Sequence, residues 1–149
     1  MQLQAESNPA LNTVTAYDSG YIEINAQRFD HAVYFGPEGP VVRWDIAHVH
    51  EITSASLCTV AGISAVRVSA LDFLDTPEGV SARPEGAPEV ILVGTGARQH
   101  FLAPGVTRLL LDMGIGIETM STQAAARTYN ILMAEGRRVV AALLPVEPT

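Results

Sequence analysis

The sequence predicts an α/β fold: a single compact domain over residues 13–146, with a mixed central sheet, a C-terminal β-α-β-α-β unit and an N-terminal antiparallel hairpin or meander. Three observations predict it. Residues 89–144 alternate short apolar runs with segments of helical spacing, and the connections are so short that parallel crossovers are the natural topology. Residues 13–35 instead carry closely spaced β-rich runs separated by turn residues. The composition, 149 residues of which 48% are apolar and 17% charged, suits one globular domain.

Residues 1–12, which contain Asn8-Pro9, read as a flexible leader, and residues 147–149 as a short tail. The first strand is expected at residues 13–17, where β-branched and aromatic side chains favour extended backbone, and Asp18-Ser19-Gly20 turns the chain. Tyr21-Ile22-Glu23-Ile24 alternates with the period of a half-buried strand. Asn25-Ala26-Gln27 turns the chain again, and residues 28–35 follow as the third strand of the meander. After the turn cluster Gly36-Pro37-Glu38-Gly39-Pro40, residues 41–46 are expected to form another strand. Residues 47–76 give conflicting periods: Leu71 and Leu74 are spaced as on a helix, whereas Val66-Arg67-Val68 alternates as on a strand. Residues 76–88, rich in Pro, Gly and Glu, read as an exposed loop within the same domain.

The last third is more regular. Residues 89–93 form an apolar strand ending in Gly94-Thr95-Gly96. Pro104 suits a first helical position, where an N–H would lack a partner anyway, and Val106, Leu109, Leu110 and Met113 recur at helical spacing. Gly114 supplies the left-handed residue that stops this helix, and residues 115–118 make the next strand. Ser121 or Thr122 caps a helix that runs to about Glu135 and ends at Gly136. Residues 138–144 form the final buried strand, stopped by Pro145.

All nine basic residues are arginine. The absence of lysine excludes a Schiff-base lysine, a Walker-type phosphate lysine and a Ser-Lys hydrolase pair. The net charge of −7 is unevenly placed: residues 1–97 carry four arginines against twelve acids, and residues 98–149 five against four. Such an acidic balance opposes a sequence-independent grip on phosphate backbones, so no nucleic acid is expected as a partner. Cys58 has no second cysteine to pair with and stands among apolar neighbours, as a packed thiol does. Residues 1–12 contain no apolar signal segment, and residues 139–146 are far too few to span a bilayer. A cytoplasmic protein without membrane insertion is the expectation.

Ligands of parallel α/β units bind beyond the carboxyl ends of the strands, near helix N-termini. Residues 94–99 and 119–123 meet that condition. The expected ligand-binding residues are Thr95, Gly96 and Arg98 on the first connection, with Ser121, Thr122, Arg127 and Asn130 on the second and its helix. Free N–H groups and two arginines there would hold a carboxylate or phosphate. The same residues have structural uses. Gly-Thr-Gly is a tight strand-to-helix turn rather than a GxGxxG fingerprint, since Gln99 stands where the third glycine belongs. Ser121 and Thr122 are caps, and Arg127 can pair with Glu118 or Glu135. His48 and His50 would share one face of a strand, with Glu51 beside them, but only His31 and His100 remain as distant histidines for a metal set. Tyr129 is either core or a polar handle at an interface. There is no Gly-x-Ser-x-Gly elbow, and no catalytic residue, cofactor or metal is assigned.

Four stretches, in this order, carry a resemblance to a known family: residues 17–25 (YDSGYIEIN), 90–98 (VILVGTGAR), 114–120 (GIGIETM) and 126–137, which contains ARTYNIL followed by EGR. The chain resembles the domain-of-unknown-function family 498, which includes a mitochondrial complex I assembly factor. The resemblance implies one compact domain with helices packed on a mixed sheet, and an assembly role rather than an enzymatic one. Members commonly carry Asp where this chain has Ser121, and Cys where it has Ala126, so chemistry resting on either group is lost here. Residues 47–88 are not covered by it. The reading is a non-catalytic interaction protein with another protein as its assembly partner, and exposed strands also leave room for a homodimer. The alternative is a module, or an enzyme, that takes a small anionic metabolite at the two strand-end loops.

Overall fold

A computed structural model describes residues 11–63 and 86–146 of the chain. In order, the strands β1 (Val14–Asp18), β2 (Tyr21–Ile24) and β3 (Gln27–Phe29) form one antiparallel sheet. They are followed by β4 (Val33–Phe35), β5 (Val42–Arg43), a 3-10 turn at Val49–Glu51 and helix α1 (Ser54–Ala61). Then come β6 (Val90–Gly94), α2 (Pro104–Asp112), β7 (Gly116–Met120), α3 (Thr122–Ala134) and β8 (Val139–Leu143). The second sheet has the order β5-β4-β8-β6-β7, parallel where β6 meets β7 and β8, antiparallel where β4 meets β8 and β5. The mixed α/β class and the C-terminal β-α-β-α-β unit are as the sequence predicts.

The sheet's period-2 alternation divides the core into two layers. On one face Ile91, Val93 and Ala142 pack with Leu57, Cys58 and Val60 of α1 and Leu110 of α2. On the other, Leu92, Ala141 and Leu143 pack with Ala125, Ala126 and Tyr129 of α3, and with Val14, Ile22 and Ile24 of the small sheet. The β6-α2-β7 connection steps one way across the sheet and β7-α3-β8 steps back past β6. Two crossovers of one hand running in opposite directions require helices on opposite faces, which is where α2 and α3 lie.

Several boundaries differ from expectation. The strand expected at residues 28–35 is broken by Asp30–Ala32, the corner at which the chain leaves the small sheet for the large one; β-rich composition reads alike on both sides of a corner. The strand expected at 41–46 pairs at Val42 and Arg43, where the Trp44 N–H donates the ladder's last bond to the Ala32 carbonyl (2.8 Å) and Trp44 is buried in the core. Within the ambiguous stretch, α1 is nucleated by a reciprocal cap in which Thr53 Oγ1 accepts from the Ser56 N–H and Ser56 Oγ accepts from the Thr53 N–H. The conflicting signals at Val66, Val68, Leu71 and Leu74, and most of the loop expected at 76–88, lie outside the described residues; at its described end, Ala87 and Pro88 are buried rather than exposed.

Asn12, expected in a flexible leader, is instead buried and fully used. Its Nδ2 donates to the Gly36 and Gly39 carbonyls, both at 2.9 Å, and its Oδ1 accepts from Asn25 Nδ2. The buried Tyr129 hydroxyl donates to the Asn12 carbonyl at 2.8 Å, so Tyr129 is a core residue whose polar tip is satisfied within the chain. Asn130 Oδ1 accepts from the Val14 N–H while its Nδ2 donates to the Val14 carbonyl, both at 2.9 Å. One asparagine side chain thus acts as an extra strand residue that fixes β1 to α3.

Asn25 and Ala26 both have positive φ, 52° and 68°, the geometry of a two-residue type I′ hairpin. Ala26 carries a Cβ in that left-handed conformation. Ala26→Gly is expected to raise stability by about 0.5 kcal/mol, the strain released exceeding the entropy that glycine adds to the unfolded chain. The urea midpoint should rise with an unchanged slope; a lower midpoint would contradict the strain.

Candidate functional site

The carboxyl ends of β6, β7 and β8 meet the N-terminus of α3. Ser121 is the cap, its Oγ accepting from the Ala124 N–H at 3.2 Å. Thr122 is not a cap: its buried hydroxyl accepts from the Gly96 N–H at 2.9 Å and donates to the Leu144 carbonyl, while its own N–H donates to the Gly96 carbonyl at 2.8 Å. Thr122 can come this close only because Gly94 has no side chain, a Cβ there falling 2.9 Å from Thr122 Cα. The Thr95 hydroxyl donates to the Arg98 carbonyl (2.6 Å) and accepts from the His100 N–H (3.1 Å), folding residues 95–100 into a compact loop. Gly96 has φ +101°, a left-handed value that favours glycine.

A second segment faces this loop. Glu51 Oε1 accepts from the Ala47 N–H at 2.8 Å and the His48 N–H at 3.4 Å. The Ala47 N–H, followed by that of His48 and the two imidazoles, holds the Glu51 carboxyl below its ordinary value against a smaller opposing effect of desolvation. A lowered carboxyl stabilises the fold above its ordinary range and loses that effect as pH falls through the lowered value, so the turn is braced at neutral pH. The rings of His48 and His50 stack with centroids 5.4 Å apart and planes 5° from parallel, His48 preceding the 3-10 turn and His50 within it rather than both on a strand.

Between the two segments lies a cleft of about 450 Å³. Its lining brings together Thr95, Gly96, Arg98 and His100 from the β6 loop with His48 and His50, and includes the apolar Val49, Leu144 and Pro145. Three of the seven residues expected to bind ligand are therefore in the cleft. The other four are not: Ser121 caps α3, Thr122 seals the strand ends and borders a smaller hollow with Tyr17 and Tyr21, Arg127 is exposed on α3, and Asn130 is occupied by β1. The histidines were visible in the sequence, but nothing local relates residue 48 to residue 98. A larger hollow of about 570 Å³ lies at the opposite ends of β6 and β8, bordered by Gly62 and Gly86; one of its arginines, Arg137, pairs with Glu89 at 3.0 Å. Cys58 is buried, and burial pushes its thiol up, as suits a packing role. Among the described residues no three His, Cys, Asp or Glu side chains are placed to hold a metal ion, and no helix is long and apolar enough to cross a membrane.

Comparison with known proteins follows the fold. The profile of the family described as "Protein of unknown function (DUF498/DUF598)" matches residues 14–144. A Bordetella pertussis structure described as a Mth938-like domain is similar at a TM-score of 0.78 and 58% identity, covering 100% of this chain and 95% of that one. A bovine (Bos taurus) protein named NADH dehydrogenase [ubiquinone] 1 alpha subcomplex assembly factor 3 is 30% identical over 143 residues, 96% of this chain and 65% of its own length. An uncharacterised Rhodobacter capsulatus protein is 48% identical over 61 residues, 41% of this chain and 49% of that protein. The chain thus spans about half to two thirds of the length of these two curated relatives.

Gly94→Ala tests the junction. The added methyl meets the Thr122 backbone, which cannot rotate away, so a loss of about 1–3 kcal/mol is expected in chemical denaturation. Unchanged stability would mean that α3 does not dock on β6 as described.

Proposed function

The chain belongs to the DUF498/DUF598 family, and we propose that it is a non-catalytic interaction protein of the cytoplasm that assists the assembly of a partner, with respiratory NADH dehydrogenase as the partner class. One observation carries the reading: the alignment to the bovine assembly factor runs through 96% of this chain rather than through an isolated motif. The chemistry of the strand ends supports it. Where an α/β enzyme would present reactive groups, Thr95 and Thr122 spend their hydroxyls on the protein's own backbone. An assembly role asks instead for a rigid scaffold and accessible contact residues; Phe101, 83% exposed on the loop after β6, is an aromatic of the type that anchors protein interfaces.

Deleting the gene in its native host and resolving membrane complexes on native gels tests the reading. The expected result is a smaller amount of fully assembled NADH dehydrogenase, restored by the intact chain. Wild-type amounts of the complex in the deletion strain would refute the role.

A further inference from the structure

We propose that the cleft between residues 47–50 and the 95–100 loop is a binding site for a small organic oxyanion, a phosphate monoester or a carboxylate, held by Arg98 and the imidazoles of His48, His50 and His100. The charge distribution is the main argument. The chain has a net charge of −7 and only four histidines, yet three of them line this cleft with an arginine, and among the described residues no carboxylate lines it. The neighbouring carboxylate, Glu51, is turned to the backbone N–H groups of Ala47 and His48. Arg98 is exposed and makes no ion pair among the described residues, so its guanidinium is available for a bidentate contact with an oxyanion.

The two walls are fixed by separate devices, the Glu51 brace and the Thr95 hydroxyl, so the guanidinium and the imidazoles are held on preorganised loops. A bare inorganic ion would leave most of a 450 Å³ cleft empty. That volume falls in the ordinary range of small-molecule sites, and Val49, Leu144 and Pro145 offer apolar surface to the organic part of a ligand. A cation is disfavoured by the guanidinium itself. The site also lies where an α/β sheet presents ligands, beyond the carboxyl end of β6, displaced to the α1 and α2 side because Thr122 closes the opposite side. It is independent of the assembly role: either can fail alone.

NMR titration of the full chain with phenyl phosphate and with benzoate, at constant ionic strength and against a chloride blank, tests the site. Saturable shifts confined to the amides of residues 47–50 and 95–100 are expected with at least one probe, and the tighter probe identifies phosphate or carboxylate as the class. Arg98→Ala should weaken that binding about tenfold or more, and His100→Gln should weaken it as well, while Arg108→Ala on α2 leaves it unchanged. No saturable shift with either probe would overturn the proposal. So would equal shifts from chloride, or unaltered affinity in both Arg98→Ala and His100→Gln with the remaining spectrum native.

Discussion

The Thr122 hydroxyl is the contact on which the arrangement of the strand ends depends. It lies at 1% exposure between two backbone groups from different elements, accepting from Gly96 after β6 and donating to Leu144 after β8. Both its hydrogen-bonding roles are filled, as burial of a hydroxyl requires. The strand order β8-β6-β7 places β6 in the middle, so the residue that opens α3 must bridge back over the end of β6 on its way from β7 to β8. Gly94 makes the approach possible and Thr122 makes it stable.

That closure decides where ligands can go. In an open sheet of this type the crevice between β6 and β7, whose following helices lie on opposite faces, is the usual binding position. Here the backbone of one loop donates to the other, through Thr95 to Met120 and Thr122 to Gly96, and Gln99 Nε2 donates to the Thr119 carbonyl. What remains open is the adjoining cleft, where the acidic N-terminal part of the chain contributes its two neighbouring histidines and the β6 loop contributes Arg98 and His100. In an acidic protein the described residues of this cleft thus supply one arginine and three imidazoles.

The parts of the fold that were legible in the sequence are those governed by local periodicity and local punctuation. Pro104 and Gly114 frame α2, Gly136 follows α3, and the apolar runs of β6 and β8 announce strands buried on both faces. What was hidden depends on partners far away in the chain. The corner at Asp30–Ala32 has no turn signature because it only redirects a strand between sheets. Helix α1 begins with Thr53 and Ser56, a capping box whose second member is serine rather than the usual Glu or Gln, and so gives a faint signal, although Gly62 marks its end. Asn130 looked like a ligand group on a helix near the strand ends; only the tertiary structure shows its amide spent on Val14, 116 residues away. The cleft histidines likewise acquire meaning only when residues 48 and 98 become neighbours.

Denaturant unfolding of Thr122→Val compared with Thr122→Ser addresses the closed junction most directly. Valine keeps the shape and removes the hydroxyl, stranding the Gly96 N–H and the Leu144 carbonyl, whereas serine keeps the hydroxyl and loses a methyl. The account predicts a loss of roughly 2–4 kcal/mol for valine, with serine retaining most of the wild-type stability. A valine variant within about 0.5 kcal/mol of wild type would contradict it, since surface-like neutrality is incompatible with two buried polar groups left unpaired.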